Sequence, residues 1–147
     1  MKIKDLLGLK VNFTLSLVIF TIYLLLIVFA FVKIQGEVEN LMVYASSVNF
    51  LKDTKNAQYI SILRKEALSI KINEDRYRIL YNDGKTFIDS EPMFKKVKII
   101  PEEKKLIINP DGSFNIKGNF IIKFKKGKVE YNLILRKDGR IFINENH

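Results

Sequence analysis

Between Lys10 and Lys33 the chain runs for 22 residues without a charge, VNFTLSLVIFTIYLLLIVFAFV. Within Phe13–Val32, 15 of the 20 side chains are Phe, Leu, Ile or Val, and the polar interruptions are mild: Thr14, Ser16, Thr21 and Tyr23. About 20 apolar residues at 1.5 Å rise cross a hydrocarbon layer about 30 Å thick. Each aliphatic or phenyl side chain near the bilayer centre favours insertion by about 0.3–0.6 kcal/mol, so a few hydroxyls are outweighed. Burial in a soluble core would require protein on every side of this segment, while residues 33–147 must also enclose a core of their own. The run therefore predicts a transmembrane helix at 13–32. It exceeds the about 7–15 residues of a secretory-signal core, and Ala30-Phe31-Val32-Lys33-Ile34 lacks a small-x-small cleavage site, so it is expected to remain as an anchor. Lys2, Lys4 and Lys10 precede it against Asp5 alone, which predicts a cytoplasmic N-terminus and residues 33–147 across the membrane.

Composition removes most catalytic chemistry. Cysteine is absent, which excludes disulfides, thiolate nucleophiles and Cys-based zinc sites. The single histidine is the terminal His147, which excludes a His-based triad and a multi-His metal cage. The seven glycines are dispersed, so no phosphate-binding loop is formed, and Ser46, Ser47 and Ser113 have no base. Carboxylates at Glu74-Asp75 and Glu102-Glu103 are sequence neighbours that read as solvated turn residues. A calcium loop from Asp83, Asp89 and Glu91 would lack the dense alternation of oxygens such loops need. No catalytic residue, metal ligand or cofactor is expected.

Beyond the anchor, Val38, Leu41, Ala45, Val48 and Leu51 recur at spacings of three and four, the stripe of an amphipathic helix. Lys52–Asn56 reads either as a solvated turn of that helix or as a break, and Ile60, Leu63 and Ala67 resume the spacing. The period then changes to two. Leu68/Ile70/Ile72, Tyr77/Ile79/Tyr81, Val97/Ile99, Leu106/Ile108, Phe120/Ile122/Phe124, Val129/Tyr131/Leu133/Leu135 and Ile141/Ile143 alternate with residues that are mostly polar. Turn signals separate these runs: Asn82-Asp83-Gly84, Asn109-Pro110-Asp111-Gly112, Lys126-Gly127 and Lys137-Asp138-Gly139. This predicts an antiparallel sheet with one buried face, covered by the 38–51 stripe. The expected fold class is α+β. Its parts are a short basic leader at 1–12, a transmembrane helix at 13–32, an amphipathic helix at 33–67 and an antiparallel β-sheet domain at 68–147.

That order of parts resembles the type IV pilin-like superfamily, and more narrowly its minor pseudopilins of the GspH/FimT type, found in type IV pilus, competence and type II secretion machines. Two stretches carry the resemblance. Phe13-Thr14-Leu15 opens the apolar run after a Lys-containing leader. Near the other end, Ile107-Ile108-Asn109-Pro110-Asp111-Gly112-Ser113, Gly118-Asn119-Phe120-Ile121-Ile122, Tyr131-Asn132-Leu133 and Asp138-Gly139-Arg140-Ile141-Phe142-Ile143 are similar to the family's ending. The resemblance implies a non-enzymatic filament component that initiates or caps assembly. It implies a place in the bacterial inner membrane with a single span, beside other pilin-like subunits and the lipid bilayer. It also implies cleavage by a prepilin peptidase between Asn12 and Phe13, although Asn12 stands where the family has Gly. Leu17 occupies the fifth mature position, where the family carries Glu. The resemblance then implies either a place at a filament tip or a divergent relative that does not polymerise. Packing of Val18, Leu24–Leu26 and Phe29 would hold the span among its neighbours.

Charge supplies a second expectation. Residues 33–147 carry 22 basic against 15 acidic side chains, and Lys117, Lys123, Lys125, Lys126 and Lys128 fall within twelve residues that hold no acid. Such a strip would attract DNA phosphates or an acidic polymer, with Phe114 and Phe120 available for stacking on bases. The competing and stronger reading is structural, because lysines along an exposed strand deter sheet-to-sheet aggregation. A third reading is a membrane-anchored accessory or sensor domain outside any filament.

Overall fold

The structure is a computed structural model that describes residues 3–90 and 97–146, with side chains described for residues 13–90 and 97–145. It consists of one helix, α1 (Ile3–Arg64), followed by eight strands: β1 (Leu68–Ile72), β2 (Tyr77–Tyr81), β3 (Thr86–Asp89), β4 (Lys98–Pro101), β5 (Lys105–Ile108), β6 (Asn119–Lys126), β7 (Val129–Arg136) and β8 (Ile141–Asn146). The chain divides into two compact units, Met1–Val38 and Glu39–His147. In the first, every described side chain from Phe13 onward is exposed, and the segment is long and apolar enough to cross a membrane. The Lys52–Asn56 stretch continues the helix rather than breaking it.

Helix α1 ends in a Schellman-type cap. The Glu66 N–H reaches the Ser61 carbonyl at 3.1 Å and the Lys65 N–H reaches the Ile62 carbonyl at 3.4 Å. The left-handed residue of this cap is Lys65, with φ 54°, where glycine is usual. The turn leads directly into β1.

The expectation of one sheet is corrected: there are two antiparallel four-stranded sheets, ordered β3-β2-β1-β5 and β4-β6-β7-β8. Strand β4 lies between β3 and β5 in sequence yet pairs with β6, so the chain leaves the first sheet and returns to it. The alternating residues face inward as their period requires. Leu68, Ile70, Ile72, Tyr77, Ile79, Leu106 and Ile108 are buried from one sheet, and Ile99, Phe120, Ile122, Phe124, Tyr131, Leu133 and Leu135 from the other. Strand β3 has no counterpart in the predicted set. Its four residues, Thr86-Phe87-Ile88-Asp89, alternate poorly, and its pairing with β2 is interrupted by a register shift at Ile79/Leu80.

The helix covers both sheets, but through a different face from the one its largest apolar residues predict. Val43, Ser46, Ser47, Phe50, Thr54, Ala57, Gln58 and Ser61 are buried. Val38 and Leu41 are exposed, and Ala45, Val48 and Leu51 are only half-buried. The buried stripe at 43, 47, 50, 54, 57 and 61 is mostly small, which lets the helix axis approach the sheets closely. Two serine hydroxyls on this side bond back within the helix: Ser46 Oγ donates to the Met42 carbonyl at 2.9 Å and Ser47 Oγ to the Tyr44 carbonyl at 2.7 Å. Phe50 is the large exception and joins the two layers. Its ring centroid lies 4.6 Å from that of Tyr77 on β2 and 5.7 Å from that of Phe124 on β6, both edge-on.

Candidate functional site

The helix fixes its own position on the sheets by polar contacts spread along its length. Tyr131 on β7 donates its hydroxyl to Asn40 Oδ1 at 2.7 Å, and Tyr77 on β2 donates to Asp53 Oδ2 at 2.6 Å. Burial, reinforced by the Asp53 carboxylate, holds the Tyr77 hydroxyl well above the ordinary tyrosine range and therefore protonated. Burial also raises Tyr131, with the Glu145 carboxylate adding to the effect. Further along, Gln58 Nε2 donates to the carbonyls of Gly112 at 2.7 Å and Gly139 at 2.9 Å, while Ser61 Oγ donates to the Asn109 carbonyl at 2.7 Å. The turns at Asn109–Gly112 and Lys137–Gly139, two of the motifs that carried the family resemblance, thus meet at one point on the helix. Their role in this fold is structural. Within each turn a carboxylate is held below the ordinary range, Asp111 by Ser113 and Asp138 by Arg140.

The opposite face of the same helix segment is open, with apolar side chains at both ends and lysines between them. Leu41 is 68% exposed, Tyr59 66% and Leu63 65%, and Tyr44 and Ile62 are also exposed. Leu41, Tyr59 and Ile62 belong with the half-buried Ala45 and Val48 to a second stripe, at 41, 45, 48, 52, 55, 59 and 62, in steps of four and three, with Tyr44 and Leu63 at its margins. Lys52 and Lys55 occupy its centre. Neither makes an ion pair among the described residues, and Lys55 Nζ reaches only the Gly139 carbonyl at 3.5 Å. The sequence pattern made this face visible but suggested that it was the covered one.

The lysine strip is not gathered into one surface. Lys123 and Lys125 lie on the outward face of β6, where Lys123 pairs with Glu130 at 3.4 Å and Lys125 lies opposite Lys98 of β4. Lys126 Nζ lies 2.9 Å from Met42 Sδ on the helix side, Lys128 is in the β6–β7 turn, and Lys117 precedes the far end of β6. Phe114 and Phe120 are buried, 0% and 4% exposed, so the expectation that they stack on bases is corrected. Phe120 is turned inward by the period of β6, and Phe114 by its isolated bridge to Ile108 of β5. Asp83 is paired with Lys85 and Asp89 with Arg78, while Glu91 lies outside the described residues. Among the described residues no cluster of His, Asp and Glu is placed to hold a metal ion. Phe13 and Leu17 lie on exposed positions of α1, where the Leu17 carbonyl accepts from Thr21 Oγ1 at 2.8 Å. Asn12 is within α1, but its side chain lies outside the described set.

No family model matches the chain, and no curated protein matches it in sequence. Solved structures do. The type IV minor pilin FimU of Pseudomonas aeruginosa PAO1 superposes with a TM-score of 0.61 at 12% identity, over 69% of this chain and 87% of that one. A second crystal form of FimU gives 0.55 over 91% of its length. The minor pseudopilin EpsH from the Type 2 Secretion System of Vibrio cholerae gives 0.58 at 11% identity, over 70% of this chain and 96% of that one. Identity this low speaks for architecture. The chain has the pilin-like fold of minor pilins and minor pseudopilins, a long N-terminal helix with antiparallel sheets packed against it.

Proposed function

We propose that this protein is a minor pseudopilin-like structural component of an envelope filament of the type IV pilus, competence or type II secretion kind, and that it initiates or caps assembly without enzymatic activity. The observation that carries the reading is the helix with two unlike faces. One face is filled by sheets, and the other leaves Leu41, Tyr59 and Leu63 about two-thirds exposed, with Tyr44 exposed beside the Tyr131 ring and Ile62 exposed beside Gly112. An open apolar helix face of this length is a surface for another helix. In this reading residues 1–12 are the leader, 13–32 the span through the inner membrane with the N-terminus cytoplasmic, 33–67 the helix that packs on neighbours, and 68–147 the extracytoplasmic sheet domain. The prepilin peptidase would act at Asn12–Phe13. Leu17 leaves the span without a buried carboxylate to pair with a neighbour's amine, which suits a single position at a tip better than a repeating one.

Lys52 and Lys55 in the middle of the stripe argue against packing on a second copy in register, since like charges would face each other. They favour a different pilin-like subunit that carries acidic residues there. The test is cysteine cross-linking in the native membrane from positions 41 and 59, combined with deletion of the gene. Adducts with another pilin-like subunit and loss of filaments or secretion are expected. Intact filaments and secretion, with no such adduct, would overturn the reading.

A further inference from the structure

Strand alternation sends Ser69 and Lys71 of β1, Arg78 of β2 and Lys105 of β5 to the outer face of the first sheet, away from its buried side chains. The register then sets three cations in one row across adjacent strands. Lys105 lies directly opposite Lys71, and Lys71 directly opposite Arg78. Neighbouring strands are about 4.8 Å apart, and like charges directly opposite one another destabilise a sheet. At one end of the row the repulsion is relieved, because Arg78 Nε donates to Asp89 Oδ1 at 3.0 Å. Lys71 and Lys105 have no such counter-charge: neither makes an ion pair or a side-chain hydrogen bond among the described residues. The second sheet also sets two lysines opposite each other, Lys98 and Lys125, but there Glu74 lies 3.5 Å from Lys98. Protection of an edge accounts for Lys105 on β5 and not for Lys71, whose strand is flanked by β2 and β5.

The two unpaired lysines border a depression of about 210 Å³. Next along the strands comes the row Ile107–Ser69–Leu80, and Asn82 stands on the far side of it. Leu80 and Ile107 flank Ser69, whose hydroxyl bonds to no described residue. Beyond that rim the Glu66 carboxylate is engaged by the Asn82 N–H at 3.3 Å. Two ammonium groups and a hydroxyl, all of them donors, thus border one hollow with apolar sides.

We propose that this hollow binds a small phosphate monoester, with its phosphate held by the Lys71 and Lys105 ammonium groups and the Ser69 hydroxyl. Charge selects the ligand. A phosphate monoester carries about −1.5 to −2 at neutral pH, which matches two unpaired cations, whereas a diester or a carboxylate brings a single charge. Lysine serves phosphate as a point charge, and the three free oxygens of the group can each take a donor. A hollow of this size admits the phosphate and a body of a few carbons between Leu80 and Ile107, so the occupant is a free ester rather than a polymer. Binding relieves the repulsion that the register builds into the row, and therefore stabilises the fold. The site faces away from α1 and does not depend on the filament reading.

The test uses the full chain in detergent micelles, with inorganic phosphate and glycerol phosphate as probes, followed by residue-level amide shifts and thermal melts. Both probes should shift the amides of Ser69, Lys71 and Lys105 to saturation and raise the melting temperature, while sodium chloride at equal ionic strength does neither. Dimethyl phosphate, a diester with one charge, should bind at least fivefold more weakly. Lys71→Gln and Lys105→Gln, at exposed positions, should each weaken glycerol phosphate binding at least fivefold, and Ser69→Ala severalfold. Without ligand, Lys71→Gln should melt no lower than the unsubstituted chain, because a like-charge contact is lost. Lys98→Gln on the other sheet should change binding less than twofold. Unchanged affinity in the double variant of Lys71→Gln and Lys105→Gln, or shifts reproduced by sodium chloride alone, would overturn the proposal. So would binding of duplex DNA, or of phosphatidic acid in the micelle, without binding of glycerol phosphate, since either assigns the lysines to a larger anionic surface.

Discussion

A β-carbon built on Gly139 would lie 2.8 Å from the carbonyl oxygen of Gly112. The two hairpin turns touch backbone to backbone, and Gln58 Nε2 donates to the carbonyls of both. The contact explains why glycine is needed at Gly139 beyond the demand of its φ of 85°; at Gly112, with φ 81°, a β-carbon would instead meet the Ile62 side chain at 2.8 Å.

Gly84 separates these two requirements. Its φ of 84° is nearly that of Gly139, but a β-carbon there meets nothing within 4 Å. Gly84→Ala should cost about 1–2 kcal/mol for the left-handed backbone alone. Gly139→Ala should cost that and a further ~1–3 kcal/mol for the clash. Gln58→Ala, which leaves two carbonyls without their donor, should cost about 1–3 kcal/mol. Chemical denaturation of the three variants checks the order. Equal losses for the two glycine variants would mean the turns do not bear on each other.

Tyr77 makes stability fall at high pH. Its hydroxyl titrates well above the unfolded tyrosine, because burial and Asp53 both oppose the phenolate. Its contribution is therefore complete below the unfolded value near pH 10 and declines as pH rises beyond it, since the unfolded chain releases the proton first. Tyr77→Phe should lower stability by about 1 kcal/mol at pH 7 and flatten this alkaline decline. Denaturation midpoints at pH 7, 9, 10 and 11 provide the measurement.

The polar stripe of the helix contains one hydroxyl that bonds to nothing described, Thr54 Oγ1, on a fully buried residue. Thr54→Val keeps the shape and removes the unsatisfied group, so a gain of about 1 kcal/mol is expected. Phe50→Ala, four residues earlier, should cost about 3–5 kcal/mol because the ring spans the space between the two sheets. Thermal melts of both variants would show opposite signs.

The proposed leader at 1–12 gives a prediction about processing. Co-expression with an active prepilin peptidase followed by mass determination should yield a chain beginning at Phe13. Asn12→Gly, which restores the family's residue, should raise the cleaved fraction severalfold. An intact Met1 in both cases would remove the peptidase from the list of partners.

The sheets were largely legible because strands bury alternate residues and their sequences write that period plainly, as at Leu68/Ile70/Ile72 and Phe120/Ile122/Phe124. The helix was read from the wrong side for an equally physical reason. Hydropathy follows the largest side chains, and close approach to two sheets selects Ser46, Ser47, Thr54, Ala57 and Ser61 for the inner face, leaving Leu41, Tyr59 and Leu63 outside. The helix did not signal Gln58 as a clamp, since one amide among exposed polar residues has no pattern. The lysine strip was contiguous in sequence, but alternation along β6 and the turn at Gly127 send its members in different directions.

The unlike faces of α1 between Leu41 and Leu63 have an evolutionary consequence. Residues that keep the globule intact and residues that would choose its neighbours occupy opposite sides of one cylinder, so either set can drift while the other stands still. A lineage could give this module new neighbours by altering a handful of outward positions, with its architecture inherited unchanged.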